Sequence, residues 1–180
     1  MFGMILAAGR GERLRPVTDK TPKALVKVRG ECLIDRHLKM LAGANVNTVV
    51  INLGWLGEQI VEHVGSGEQF GVQVVYSPEY DNALETGGGI YRALPMLGTN
   101  PFWVVNGDIY TDLSLPTKEL PDDVLGELIL VPTPAHKSRC LSATMKREIR
   151  SRPRRTESPC ASTASTACCT RRAVLAPRDI

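Results

Sequence analysis

An apolar run over residues 1–6 empties directly into Ala7-Ala8-Gly9-Arg10-Gly11, and no other feature constrains the fold as tightly. A short apolar run closed by glycines reads as a buried strand. The spacing that follows agrees with this. Strand signals recur at residues 48–52, 72–76, 102–106 and 128–131, and helical periodicity fills 33–43, 56–64 and 87–97. Such alternation predicts an α/β fold with a mostly parallel sheet wrapped by helices. In the first helix Leu33, Ile34, His37, Leu38 and Leu41 share one face, so His37 is expected as a packed helix residue rather than a ligand.

The loop after the first strand carries the chemistry. Glycines at 9 and 11 remove the Cβ atoms that would keep a phosphate chain from the backbone N–H groups. Arg10, Arg13, Arg15 and Lys23 add cations able to meet triphosphate oxygens. Together they point to a nucleotide-phosphate site. It is neither of the two commonest glycine motifs. The third position of a G-x-G-x-x-G string is occupied by Leu14, and no G-x-x-x-x-G-K-[ST] string occurs.

Two later segments add candidates. The apolar strand at 102–105 delivers Asn106-Gly107-Asp108 at its C-terminal end, where open α/β sheets place their ligands. Asp108 offers a carboxylate for Mg2+, the plain structural alternative being a locally bonded Asn-Gly-Asp turn. The run Glu85-Thr86-Gly87-Gly88-Gly89 suits a base or ribose packed on backbone, or simply a flexible turn before a helix. The segment from Asn52 to Ile60 and the segment Tyr76-Ser77-Pro78-Glu79 are weaker candidates, with Trp55 read as packing.

Taken whole, the string L-A-A-G-x-G-x-R-L-x-P-x-T-x-x-x-P-K over residues 6–23 resembles the sugar-1-phosphate nucleotidyltransferases. The resemblance covers residues 3–136. Asn52-x-x-Trp55-Leu56-Gly57 with Leu84-Glu85-Thr86-Gly87-Gly88-Gly89 looks most like the N-acetylmuramate α-1-phosphate uridylyltransferases of bacterial cell-wall recycling. Mannose-1-phosphate guanylyltransferases share the opening loop but usually carry a Leu-Gly-Thr-Ala-Gly type of turn at the later site.

This resemblance implies a Rossmann-like, three-layer αβα fold, incomplete at its C-terminus. It implies nucleotidyl transfer from a nucleoside triphosphate, UTP favoured, to a sugar 1-phosphate, N-acetylmuramate 1-phosphate favoured. Nucleotide contacts would come from Ala8, Gly9, Gly11, Glu12, Arg13, Lys23, Gly87 and Gly88, with Arg13 and Lys23 catalytic. Asn106 would contact the sugar substrate and Asp108 would hold Mg2+. The alternatives are a mannose-1-phosphate guanylyltransferase and a non-catalytic nucleotide-binding module, although the presence of Asp108 counts against the second.

Charge divides the chain in two. Residues 1–136 carry 11 Lys+Arg and 16 Asp+Glu, whereas residues 137–180 carry 11 and 3. Four of the five cysteines, Cys140, Cys160, Cys168 and Cys169, also lie in the second part. The first part is expected to be the N-terminal portion of a nucleotidyltransferase domain. The second is a basic, low-complexity tail whose Ser, Thr, Ala and Pro content buries too little apolar surface to offset ordering entropy.

Three readings of the tail compete: a basic arm for nucleic acid or anionic lipid, a cysteine metal cluster, or residues foreign to the fold. Adjacent Cys168-Cys169 lacks the spacing of a zinc site. Back-translated in GC-rich codons and read two nucleotides later, residues 166–172 encode Gly-Leu-Leu-His-Pro-Ala, a stretch that the resembling family often carries. The third reading is therefore preferred, as a frameshift close after residues 131–136. A chain so altered lacks the family's second metal carboxylate and is expected to be inactive or nearly so. No apolar run approaches the roughly 18 residues of a membrane span, and the expected location is the cytoplasm. The sequence leaves the oligomeric state open.

Overall fold

The structure is a computed structural model and describes residues 1–79, 84–116, 126–129 and 172–175. Its elements begin with β1 (Phe2–Leu6), followed by a two-residue antiparallel ladder of β2 (Lys27–Val28) and β3 (Glu31–Cys32). Helix α1 (Leu33–Gly43), β4 (Thr48–Leu53), α2 (Gly57–Val64), β5 (Gln73–Pro78), α3 (Glu85–Leu97) and β6 (Phe102–Asn106) then alternate. Two further strands, β7 (Gly126–Ile129) and β8 (Arg172–Leu175), complete the described sheet.

The main sheet has the order β5-β4-β1-β6-β8-β7. Strands β5, β4, β1 and β6 run parallel, with Ile5 in register with Ile51 on one side and Val105 on the other. Strand β8 runs antiparallel to both β6 and β7. The alternation of β1 sends successive side chains to opposite faces. Ile5 joins Ile34, Leu38 and Leu41 of α1 and Ile60 and Val64 of α2. Met4 joins Ala93 and Leu97 of α3, together with Val50, Phe102 and Val104. Two helices on one face and one on the other give the Rossmann-like three-layer α/β architecture that the sequence implies.

Each helix follows from its spacing. In α1, Leu33, Ile34, His37, Leu38 and Leu41 are buried along one stripe, His37 completely. Asp35 sits in its first turn, where the helix dipole favours an anion. Helix α2 opens behind Leu56, which takes a left-handed φ of 53°, and stops at Gly65.

Several elements differ from the sequence reading. Strand β5 begins one residue later than expected and runs two residues further, because Ser77 and Pro78 pair in register with Asn52 and Leu53. Proline is tolerated there because β5 is the edge strand. Helix α3 starts at Glu85, with φ +56°, two residues earlier than the expected 87–97, so the whole run Glu85–Gly89 lies inside its first turns. The sequence also predicts no strand after residue 136, yet Arg172–Leu175 pairs with both β6 and β7. Its Ala-Val-Leu run is one of the few apolar stretches in a polar tail. Val131 and the remainder of residues 137–180 lie outside the described residues.

Candidate functional site

Strand order reverses at β1. The chain moves from β1 outward through β4 to β5, then crosses back to lay β6 on β1's other side. Ligands of open α/β sheets bind beyond the strand C-termini at such a switch point. Here it is bordered by the segments that leave β1 and β6.

The loop leaving β1 is held from below. Gly107 N–H donates to Leu6 O at 2.9 Å, and Ala7 N–H donates to the side-chain oxygen of Asn52 at 2.6 Å. Gly54 presses on the same turn so closely that a Cβ there would sit 2.4 Å from Ala8 O. Above this base, Gly9 is exposed, with no heavy atom within 4 Å of where its Cβ would be. Gly11 takes φ +67°, which L side chains rarely adopt, and its Cβ would meet Thr18 Cγ2 at 2.9 Å.

Residues 12–25 fold back as three short 3-10 turns. Buried Thr18 ties them down, donating its hydroxyl to Gly11 O at 2.9 Å. Trp55 Nε1 donates to Thr18 O at 2.9 Å, and Gln59 Nε2 to Lys20 O at 3.1 Å. The Arg10 guanidinium lies 4.3 Å from the Trp55 ring centroid. Trp55 thus acts as the packing residue expected of it, with one face under a cation and its N–H spent on the loop.

Two candidates 85 residues apart meet here. Lys23 Nζ donates to Asp108 Oδ2 across the mouth of the switch point. The pair is partly exposed, at 23% and 41% of side-chain area. Pro22 leads the turn that carries Lys23, while Asp108 stands two residues beyond β6. The Asp108 segment is also fixed from α1. Arg36 donates to Thr111 O and lies 4.7 Å from the Tyr110 ring centroid. Asn106, the last residue of β6, is in register with Leu6 at the foot of the loop.

The other candidates are spread around this centre. Glu12 and Arg13 are exposed in the first 3-10 turn, and among the described residues Arg13 forms no ion pair. Arg15 is taken up locally by Asp19 at 3.3 Å. Gly87 and Gly88 fall among the first four residues of α3, whose N–H groups have no partner within the helix.

The sequence offers Asn52 and Glu79 only within weaker candidate segments, and the contact by which they connect these parts went unread. Glu79 accepts Asn52 Nδ2–H at 2.9 Å on Oε1 and Leu84 N–H at 2.9 Å on Oε2. Gly89 covers the pair, since a Cβ there would lie 2.7 Å from Glu79 Oε1 and 2.9 Å from Asn52 Nδ2. The available signal was an asparagine ending the otherwise apolar strand Val49-Val50-Ile51.

The donor chemistry at Asp108 fits magnesium. Its carboxylate is a hard oxygen donor, accessible, and held by Lys23 through one oxygen only. Mg2+ commonly takes one or two carboxylates and completes its octahedron with phosphate oxygens and water.

A family model of nucleotidyl transferases matches residues 2–120, a span that holds the whole arrangement from Ala7 to Asp108. The chain belongs to the nucleotidyl transferase family. It is 50% identical over 141 residues to an N-acetylmuramate α-1-phosphate uridylyltransferase of Neisseria meningitidis, covering 76% of this chain and 61% of that protein. Against the enzyme of the same name from Caulobacter vibrioides it is 46% identical over 109 residues, covering 59% and 45%. The chain therefore spans less than two thirds of the curated relatives it matches. Among solved structures, HddC from Yersinia pseudotuberculosis, complexed with GMP-PN, superposes with a TM-score of 0.55 at 29% identity. That match covers 63% of this nucleotidyl transferase chain and 50% of HddC. No helix among the described residues is long and apolar enough to cross a membrane.

Proposed function

We propose that this chain carries the nucleotide-binding portion of an N-acetylmuramate α-1-phosphate uridylyltransferase, within residues 1–136. The observation that carries the reading is the meeting of Lys23 and Asp108 beside the open turn at Gly9, at the switch point of a parallel sheet. The relatives' names supply the choice of UTP and N-acetylmuramate 1-phosphate.

The reaction needs no protein nucleophile, because the sugar phosphate is already an anion. One of its oxygens attacks the α-phosphorus of UTP in line, the α–β phosphoanhydride bond breaks, and pyrophosphate leaves with that electron pair. The protein's task is positioning and charge neutralisation. Backbone N–H groups from Ala8 to Glu12 receive the phosphates, with Gly9 and Gly11 giving the close approach. Arg13 meets the β- and γ-phosphates as they become pyrophosphate. Lys23, moving from Asp108 onto substrate, draws the α-phosphate and the sugar phosphate together. Asn106 touches the sugar substrate, and the N–H groups of Gly87 and Gly88 face the base. A magnesium ion on Asp108 would neutralise charge on the α-phosphate.

The test is calorimetric titration of the full 180-residue chain with UTP and with GTP, beside a pyrophosphate-release assay with N-acetylmuramate 1-phosphate and mannose 1-phosphate. The expected result is UTP binding that exceeds GTP binding and is lost in Lys23→Ala. Equal binding by Lys23→Ala, or a preference for GTP with mannose 1-phosphate, would overturn the reading.

A further inference from the structure

We propose that Cys32, Asp35 and His63 form a binding site for a zinc-class transition-metal ion that clamps the first turn of α1 to the last turn of α2. One sulfur, one carboxylate oxygen and one imidazole nitrogen from these residues all lie within 4.8 Å of one another. Around a tetrahedral zinc ion, with bonds of about 2.0–2.3 Å, ligand atoms stand roughly 3–4 Å apart. The trio needs little movement to reach that spacing.

Local structure explains the convergence. Cys32 ends β3 and stands at the N-cap position of α1 without a side-chain capping bond, and Asp35 follows three residues later in the first turn of that helix. His63 comes from the last turn of α2, 28 residues further on. Both helices pack on the same sheet face through Ile34, Leu38, Ile60 and Val64, which brings their ends together. Burial is graded from inside to outside. Cys32 is 5% exposed, Asp35 is intermediate and His63 is at the rim. An ion would therefore sit on a buried thiolate with its remaining position open to water at the His63 side.

The existing contact leaves a place for the ion. His63 Nε2 and Asp35 Oδ1 are 2.7 Å apart, sharing a proton between a nitrogen and an oxygen that both ligate metals. An ion displaces that proton and separates the two atoms by less than an ångström. The donor set also selects the metal. A thiolate with an imidazole favours zinc and its d-block neighbours, whereas Mg2+ and Ca2+ take oxygen ligands. This chemistry differs from that of Asp108, and the inference does not depend on the proposed uridylyl transfer.

The test uses the full chain with Cys140, Cys160, Cys168 and Cys169 replaced by serine, so that Cys32 is the remaining thiol. Cobalt alone is the probe, followed by displacement with zinc. The expected result is a near-ultraviolet sulfur-to-cobalt charge-transfer band that saturates at one equivalent. It should vanish in Cys32→Ser and survive in Asp108→Asn. His63→Gln, at an exposed position, should keep the circular dichroism of the parent and lose at least about tenfold in zinc affinity. Absence of the band, its survival in Cys32→Ser, or unchanged zinc affinity in folded His63→Gln would each overturn the proposal.

Discussion

Asn52 donates to Glu79 at 2.9 Å, and each residue spends its other polar atom on a different part of the site. The second atom of Asn52 receives Ala7 N–H at the root of the β1 loop, and the second oxygen of Glu79 receives Leu84 N–H at the start of α3. A single relay of three hydrogen bonds thus connects the turn after β1 to the glycine-bearing helix. Asn52 is 3% exposed, so the relay is shielded from water at its Ala7 end and opens to solvent at its Leu84 end.

Asn52→Ala is accordingly expected to cost about 1–3 kcal/mol, because the buried Ala7 N–H is left without its acceptor. Urea titration measures this, and a loss below about 0.5 kcal/mol would show that the relay contributes little. Asn52→Asp keeps the acceptor for Ala7 but turns a second carboxylate towards Glu79 in place of the amide donor, so two like charges face each other. At neutral pH its urea midpoint should fall below that of the parent.

Gly9→Ala and Gly54→Ala should separate binding from folding. At Gly54 a methyl group meets the Ala8 carbonyl oxygen at 2.4 Å, so overpacking of about 1–3 kcal/mol is expected. At Gly9 the added methyl meets nothing, and stability should stay within about 1 kcal/mol of the parent. UTP affinity of Gly9→Ala should nonetheless fall about tenfold, or roughly 1.4 kcal/mol. Denaturation and calorimetry on the same two samples check both halves.

Lys23→Met tests the cation. The Lys23–Asp108 pair is partly exposed, so its removal should change stability by less than about 1 kcal/mol. A charge-assisted contact to phosphate is worth more, and UTP affinity should drop about 10–100-fold. If stability collapsed while affinity held, Lys23 would be a structural residue.

The acid limb of stability should depend on Glu31. The Lys39 ammonium, hydrogen-bonded at 2.7 Å, holds its carboxyl below the usual value against opposing desolvation, and Arg36 adds to the effect. A carboxyl with a depressed folded pKa contributes stability above its unfolded pKa and loses it as pH falls through the folded one. Melting temperatures recorded from neutral pH to below 4.5, the ordinary value for this group, should fall less steeply in Glu31→Gln than in the parent.

The parallel strands and the helices were legible because their signal is local. Double burial makes β1 and β6 read as apolar runs, and one-sided burial writes the stripe of α1. Lys23 and Asp108 were each legible as chemistry, but their contact required β6 to lie beside β1. The Asn52–Glu79 link depends on the pairing of β4 with β5, and the approach of Gly54 to Ala8 on the path of a loop. Neither leaves a periodic trace. The start of α3 was placed two residues late because Glu85 enters the helix through a left-handed φ that propensity does not anticipate.

The central place of β1 has a consequence for how the molecule is made. Among the described strands it comes first in chain order, and β6, which closes its second edge, ends only at residue 106. At translation rates of about 5–20 residues per second, that edge stays unpaired on the nascent chain for roughly 5–20 s. During this interval the run Phe2-Gly3-Met4-Ile5-Leu6 presents open hydrogen-bonding groups among apolar side chains. Among the inner strands of the described sheet, the one that anchors the phosphate loop thus waits longest for its second neighbour.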